Sequence, residues 1–207
     1  MGLDSAGVAP NDRRATRKGV TTMMRIVPLG LLPSLKVEEI LYPRSLELFG
    51  REERLAAWSK EFPGDFDLQI SGMSGNNPAQ EIAMYVLRKE AGIRSLTWFK
   101  LGMEPSETKG QSTSPADLEA RQGIITKVIG QDLTSRLKVA LREAKLRNFK
   151  GEPDLFCWKP DLSDWFFAEV KKDDGLHSAQ IRWHLAAKSV IEDDTRFRLL
   201  LLTPTDE

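Results

Sequence analysis

Two acidic residues and a lysine stand at a spacing that suits phosphodiester chemistry. Asp154 closes the run Gly151–Glu152–Pro153–Asp154, and Glu169 and Lys171 follow in Glu169–Val170–Lys171. A phosphodiester is anionic and resists attack by hydroxide. A divalent cation, Mg²⁺ or Mn²⁺, neutralises it and lowers the pKa of the attacking water. Such hard cations take oxygen ligands, and Mg²⁺ is commonly held by one or two carboxylates together with water and phosphate. Asp154 and Glu169 are the candidate pair. A lysine beside them can position the water and stabilise the charge that builds in the transition state. The residue types therefore point to an enzyme that cuts nucleic acid with the help of Mg²⁺ or Mn²⁺.

The elements that must position these groups read as a hairpin. Leu155 to Trp158 and Trp165 to Val170 are apolar, aromatic and β-prone, and Lys159 to Asp164 between them is a turn cluster. If Trp158 stands opposite Trp165, Asp154 stands opposite Glu169. Opposed Cβ atoms lie roughly 4.5–5.5 Å apart, close enough for two carboxylates to share a cation. Side chains alternate along a strand, so Glu169 and Lys171 share one face. Leu155, Cys157, Phe166, Ala168 and Val170 take the other and read as core. A Glu-x-Lys by itself more often marks a solvated strand face. Its combination with Pro–Asp and a hairpin of matching register gives the functional reading its weight.

Gly151, Pro153, Asp154 and Leu155, then Phe167, Glu169, Val170 and Lys171, then Asp174, Leu176, Gln180 and Trp183 closely resemble the VRR-NUC branch of the PD-(D/E)xK nucleases. The resemblance covers residues 151 to about 203 well and the upstream helices loosely. It implies a restriction-endonuclease-like fold and a metal-dependent DNase. Asp154 and Glu169 would be metal ligands, Lys171 the catalytic lysine, and Gln180 a supporting residue on the helix after the catalytic strand. It also implies branched or flapped DNA as substrate, with homodimers among the proteins it resembles. One position departs from the pattern: His177 stands where the family often has Ser.

Members of that family usually draw a further acid from an early helix. The best candidate here runs from about Pro78 to Ala91, with Asn77 as cap, Pro78 in the first turn and Gly92 as terminator. Ala79, Ile82, Ala83, Val86 and Leu87 form its apolar stripe. Glu81 lies beside that stripe and is the candidate third metal ligand; Glu90 is the weaker choice. The bland alternative for Glu81 is a favourable interaction with the helix dipole.

The segment after the motif reads as a helix stapled by Leu176, capped by His177 or Ser178, and carrying Ile181, Trp183 and Leu185 toward Val190. Trp183 is expected to pack rather than stack on bases. Arg196 to Leu202 reads as a buried strand ended by Thr203–Pro204. His177 and His184 are the only histidines, and neither has a partner at zinc-ligand spacing.

The formal net charge is zero, yet its distribution is lopsided. Residues 121–150 hold eight Lys or Arg against two acids, whereas residues 151–207 hold seven against twelve. A basic stretch feeding an acidic metal site suits a polyanionic partner. The stretch reads as a helix from about Thr134 to Asn148. Arg136, Lys138, Arg142, Lys145, Arg147 and Lys150 are expected at exposed or flanking positions as the DNA-binding set. Phosphate contacts of this kind position a duplex without reading its sequence.

With 41% hydrophobic residues and five Trp, the 207-residue chain can bury a real core. Residues 1–22 are expected to form a disordered tail, residues 23–75 an appended segment of unknown role, and residues 76–207 the nuclease domain. Met23 or Met24 is a candidate start. Residues 44–60 read as a helix or two, Ser95 to Leu101 as a strand, residues 101–115 as a flexible loop, and Ser114–Pro115 as the start of a helix reaching Val128. No membrane span or signal peptide is evident. The lone Cys157 fits a reducing, cytoplasmic setting. The expected fold is α/β, a mixed sheet of about four or five strands flanked by helices. A restriction-like enzyme and a catalytically weak nucleic-acid-binding module remain as alternatives.

Overall fold

Residues 35–48, 50–64, 78–108, 113–146, 151–172 and 175–206 are described in the computed structural model of the chain. Five strands, β1 (Lys36–Pro43), β2 (Arg94–Leu96), β3 (Leu155–Trp158), β4 (Trp165–Lys171) and β5 (Phe197–Thr205), form one sheet in the order β1-β5-β4-β3-β2. β1, β5 and β4 run parallel, while β3 is antiparallel to both β4 and β2. The helices are α1 (Ser45–Leu48), α2 (Arg51–Glu61), α3 (Pro78–Ala91), α4 (Pro115–Ile129), α5 (Gln131–Glu143) and α6 (Ser178–Lys188). The protein is thus α/β, with a five-stranded mixed sheet flanked by helices.

Both faces of the sheet are covered. On one, Leu155, Cys157, Phe166, Ala168, Val170, Leu200 and Leu202 pack against Ile82, Ala83, Met84 and Leu87 of α3 and Trp58 of α2. On the other, Phe156, Phe167 and Phe197 pack against Ile125 of α4, Leu137 and Leu141 of α5, and Trp183 and Ala187 of α6. Burial on both faces explains why β3 and β4 read as nearly continuous apolar runs. The second face carries an aromatic cluster: the Phe167 ring lies 5.0 Å from Trp183 and 5.3 Å from Phe156 between centroids. Trp183 is therefore a packing residue, as expected.

The hairpin register is the expected one, with Trp158 opposite Trp165 and Leu155 opposite Ala168. α3 spans Pro78–Ala91, and Gly92 ends it at φ 65°, its amide donating to the Arg88 carbonyl at 3.1 Å. α4 begins as expected, with Ser114 as cap accepting from the Asp117 amide at 3.1 Å.

Several expectations need correction. Lys36–Pro43 was placed in an appended segment, but it pairs along its whole length with β5. Ile40, Tyr42 and Trp58 lie in the same core as α3, so the core runs across the expected division at residue 75. The strand expected over Ser95 to Leu101 stops at Leu96, because the chain then turns through left-handed residues at Trp98 (φ 53°) and Lys100 (φ 41°). Within the loop expected over residues 101–115, Pro105–Thr108 forms a short 3₁₀ turn. α5 runs Gln131–Glu143 rather than to Asn148. Lys145 takes the left-handed position (φ 57°), and the Leu146 amide returns to the Leu141 carbonyl at 3.0 Å, which sends Leu146 into the core. β5 continues through Pro204 to Thr205. Beyond Leu201 it has lost β4 as a neighbour, so one side of the strand needs no amide there. The expected tail at residues 1–22 and the Asn77 cap lie outside the described residues.

Candidate active site

Asp154 precedes β3 by one residue, and Glu169 and Lys171 lie near the end of β4. Glu169 and Lys171 point to the same side of the sheet as Phe167, at the rim of the aromatic core. Both are buried, at 7% and 6% exposure. The Lys171 ammonium lies 3.0 Å from Glu169 Oε1. Asp154 turns its carboxylate along the sheet edge, and Oδ2 accepts from the Val170 amide at 2.9 Å. Asp154, Glu169 and Lys171 are therefore brought together, as the hairpin register requires.

Two helix starts close over these groups. Gln180, in the first turn of α6, donates its side-chain amide to Glu169 Oε1, while its carbonyl oxygen accepts from the His177 amide at 2.8 Å. One carboxamide thus caps the helix and fixes the carboxylate. His177 occupies the cap position and Ser178 the first helical residue. From the other side, Gln80 in the first turn of α3 donates its side-chain amide to Asp154 Oδ1. Sequence reasoning missed Gln80. Its signal was available only in the three-residue spacing that places Pro78–Ala79–Gln80 and Ser178–Ala179–Gln180 alike at helix starts.

Gly151 allows α6 to sit this close. It has φ 84°, and a β-carbon there would lie 2.0 Å from the Ala179 carbonyl oxygen. The same loop carries a second residue that sequence reasoning missed. The Glu152 carboxylate accepts from the Lys100 amide at 2.8 Å and the Leu101 amide at 2.7 Å, pinning the left-handed turn after β2. Gln122 closes that turn, donating to the Lys100 and Met103 carbonyls at 2.9 and 3.0 Å.

Burial is the first cause that pushes the Glu169 carboxyl up to about 8, and the neighbouring Asp154 carboxylate raises it further, against the pull of Lys171. Glu152 is also pushed up to about 8 by burial, against its two amide donors and Lys100. His184 packs edge-on to Phe197 at 4.5 Å and is pushed down to about 4 by burial, so it is neutral near pH 7. Cys157 is a free, buried thiol raised by burial.

Glu81 behaves differently from the expectation. Its Oε2 pairs with Arg54 Nε of α2 at 2.6 Å, with the two side chains 5% and 12% exposed. Among the described residues, no three Asp, Glu, His or Cys side chains converge on one point. Glu81 is therefore not joined to Asp154 and Glu169 in a three-carboxylate cage.

The donor set still fits a divalent cation. Asp154 and Glu169 stand side by side in the continued register of the β3–β4 hairpin, one residue beyond the Leu155–Ala168 pair. Two carboxylates in that relation are held by a shared proton or by a cation. Hard oxygen ligands suit Mg²⁺ or Mn²⁺.

The expected DNA-binding set is only partly a surface stripe. Arg136 is exposed and pairs with Asp132 at 3.0 Å. Lys145 is exposed at the end of α5. Lys138 instead turns inward and donates to Gln122 Oε1 at 2.7 Å, and Arg142 is half-buried in a pair with Glu104. The reason is shared with Leu137 and Leu141: neighbouring positions on α5 are drawn into the packing against α4. Arg147, Lys150 and Asp174 lie outside the described residues. Among the described residues no helix is long and apolar enough to cross a membrane.

Known proteins add nothing to this geometry. No family model, no curated protein and no solved structure matches the chain.

Proposed function

We propose that this protein is a Mg²⁺- or Mn²⁺-dependent nuclease that hydrolyses DNA phosphodiester bonds, with a restriction-endonuclease-like core of the VRR-NUC kind. The observation that carries the reading is the convergence of Asp154, Glu169, Lys171 and Gln180 at the rim of one sheet face. The sheet order supports it, because an antiparallel hairpin joined to parallel strands brings the motif residues to one edge of the core.

Asp154 and Glu169 would hold the cation. When bound, it supplies charge neutralisation and Lewis acidity at the phosphate. The remaining work falls to the chain's own side chains. Lys171 is held beside Glu169 and stands ready to donate to a phosphate oxygen or to the attacking water. Gln180 keeps the Glu169 carboxylate in one orientation. Gln80 and the Val170 amide do the same for Asp154. Water adds to phosphorus as one ester P–O bond breaks, leaving a phosphate monoester on one fragment and a hydroxyl on the other. Branched or flapped DNA is the proposed substrate and a homodimer the proposed assembly, both on the resemblance of residues 151–203 to junction-acting nucleases.

The test is cleavage of end-labelled duplex, single-strand, flap and four-way-junction DNA with Mg²⁺ or Mn²⁺. Wild type is compared with Glu169→Ala and Lys171→Ala. Metal-dependent cutting that both variants lose supports the reading, and the preferred substrate assigns the role. A folded wild type that binds DNA without cutting it replaces the reading with a binding module. Cutting confined to one short duplex sequence replaces it with a restriction-like enzyme.

A further inference from the structure

Asp154 Oδ2 accepts from the Val170 amide at 2.9 Å. Oδ1 is where the Gln80 side-chain amide sits. Each carboxylate oxygen has two lone pairs, so a cation on Oδ1 would lie directly beside the Gln80 carboxamide. A carboxamide has a ready response. Rotation by a half-turn exchanges its NH₂ for an oxygen of nearly the same size and reach. Carboxamide oxygen is a good ligand for hard divalent cations.

Glu81, the acid one residue further along α3, is poorly placed for that role. Its carboxylate is committed to Arg54 in a buried pair. Drawing it away would break a buried ion pair, which is costly. Glu81 Oε1 has no hydrogen-bond partner among the described residues, so it is the rival ligand the experiment must separate from Gln80.

Resting on the metal-site reading above, we infer that Gln80 is a third, neutral oxygen ligand of the divalent cation. Its side-chain amide donates to Asp154, and a half-turn of the carboxamide presents its carbonyl oxygen to the cation. The Arg54–Glu81 pair joins α2 to α3 and stands outside the ligand set. A neutral third ligand also spares the site another negative charge beside Asp154 and Glu169.

The test is Mg²⁺ and Mn²⁺ binding to the full chain by titration calorimetry, with circular dichroism as a check on folding. Asp154→Asn abolishes binding in wild-type background. Gln80→Met, which keeps the side chain's length without its oxygen, weakens binding roughly tenfold or more, the usual cost of a lost supporting ligand. Gln80→Glu, which adds a charge at the same reach, tightens it. The double variant Arg54→Met/Glu81→Leu, which removes both charges together, leaves affinity within about twofold. Tightening by Gln80→Glu supports the inference whatever the cleavage assay reads. Binding that Asp154→Asn abolishes but Gln80→Met leaves unchanged overturns the inference and leaves the nuclease reading standing. A tenfold loss in the double variant assigns the ligand to Glu81 and overturns it too. A wild type that binds no divalent cation ends both readings together.

Discussion

Gly151 stands with its α-carbon against the Ala179 carbonyl: a β-carbon built there would meet that oxygen at 2.0 Å and the Gln180 amide nitrogen at 2.6 Å. The loop that carries Asp154 and the helix that carries Gln180 therefore touch backbone to backbone. Gly151 also has φ 84°, where a side chain is strained whatever the space. Gly151→Ala should destabilise the fold by about 2–4 kcal/mol, combining left-handed strain with overpacking. Gly123, exposed in the interior of α4 with nothing near its would-be β-carbon, is the contrast. Gly123→Ala should stabilise by roughly 0.5–1 kcal/mol. Urea unfolding of both variants checks the pair, and equal effects would contradict it.

The raised Glu169 carboxyl sets a pH dependence. A carboxyl whose folded pKa exceeds its unfolded value stabilises the fold below the unfolded value, and that contribution is lost as pH rises through the folded one. For Glu169 the loss runs from the ordinary 4.5 to about 8. Glu152 acts in the same direction over the same window. Metal-free protein should therefore lose stability between pH 5 and pH 8, and the slope should be shallower in Glu169→Gln. Cation affinity should climb through the same window, with proton release on binding, because the ligand must be deprotonated. Thermal unfolding at stepped pH and calorimetry in buffers of different ionisation enthalpy measure the two effects. Parallel wild-type and variant slopes would remove Glu169 as their source.

Gln180 makes two bonds at once, to the His177 amide and to Glu169 Oε1. Gln180→Ala should leave a folded protein whose cation affinity and DNA cleavage fall by roughly 10–100-fold, the range for residues that orient a ligand. His177→Ala, which keeps the backbone amide that Gln180 caps, should change either by less than about twofold on the same scale. The comparison is made by calorimetry and by cleavage rate. Equal losses in the two variants would mean that capping, not the Glu169 contact, is what matters.

Arg54 and Glu81 join α2 to α3 through a buried pair. Removing one partner leaves the other's charge uncompensated, so Arg54→Ala should cost about 3–5 kcal/mol. The double variant Arg54→Met/Glu81→Leu should recover most of that loss. Denaturant titration of the single and double variants decides the point. A double variant as unstable as the single would show that packing around Arg54, not charge, carries the effect.

The hairpin was legible because its signals are local. Two aromatic runs flank a turn cluster, and period-two alternation fixes which side chains face together once one pair is set. The α3 and α4 boundaries were legible for the same reason, since Pro78, Gly92, Ser114 and Pro115 act on their own turns. β1 was not. Its Lys36, Glu38 and Glu39 suggest a solvated segment, and only pairing with β5, more than a hundred and fifty residues away in sequence, makes it a strand. Nor does anything in a Trp or Lys announce a left-handed backbone. Trp98, Lys100 and Lys145 adopt one because Glu152 and the buried Leu146 offset the strain.

Residue types and short-range spacing by themselves placed two carboxylates and a lysine on one hairpin, and the resemblance added a carboxamide on the helix after it. Tertiary structure decided which neighbours those groups meet. It placed Gln80 rather than Glu81 on Asp154, committed Glu81 to Arg54, and turned Lys138 inward to Gln122. The physical reason is that the rotation of a helix about its own axis is set by what it packs against. A shift of one position around α3 separates a residue that reaches the site from one buried against α2, and packing against distant segments makes that choice.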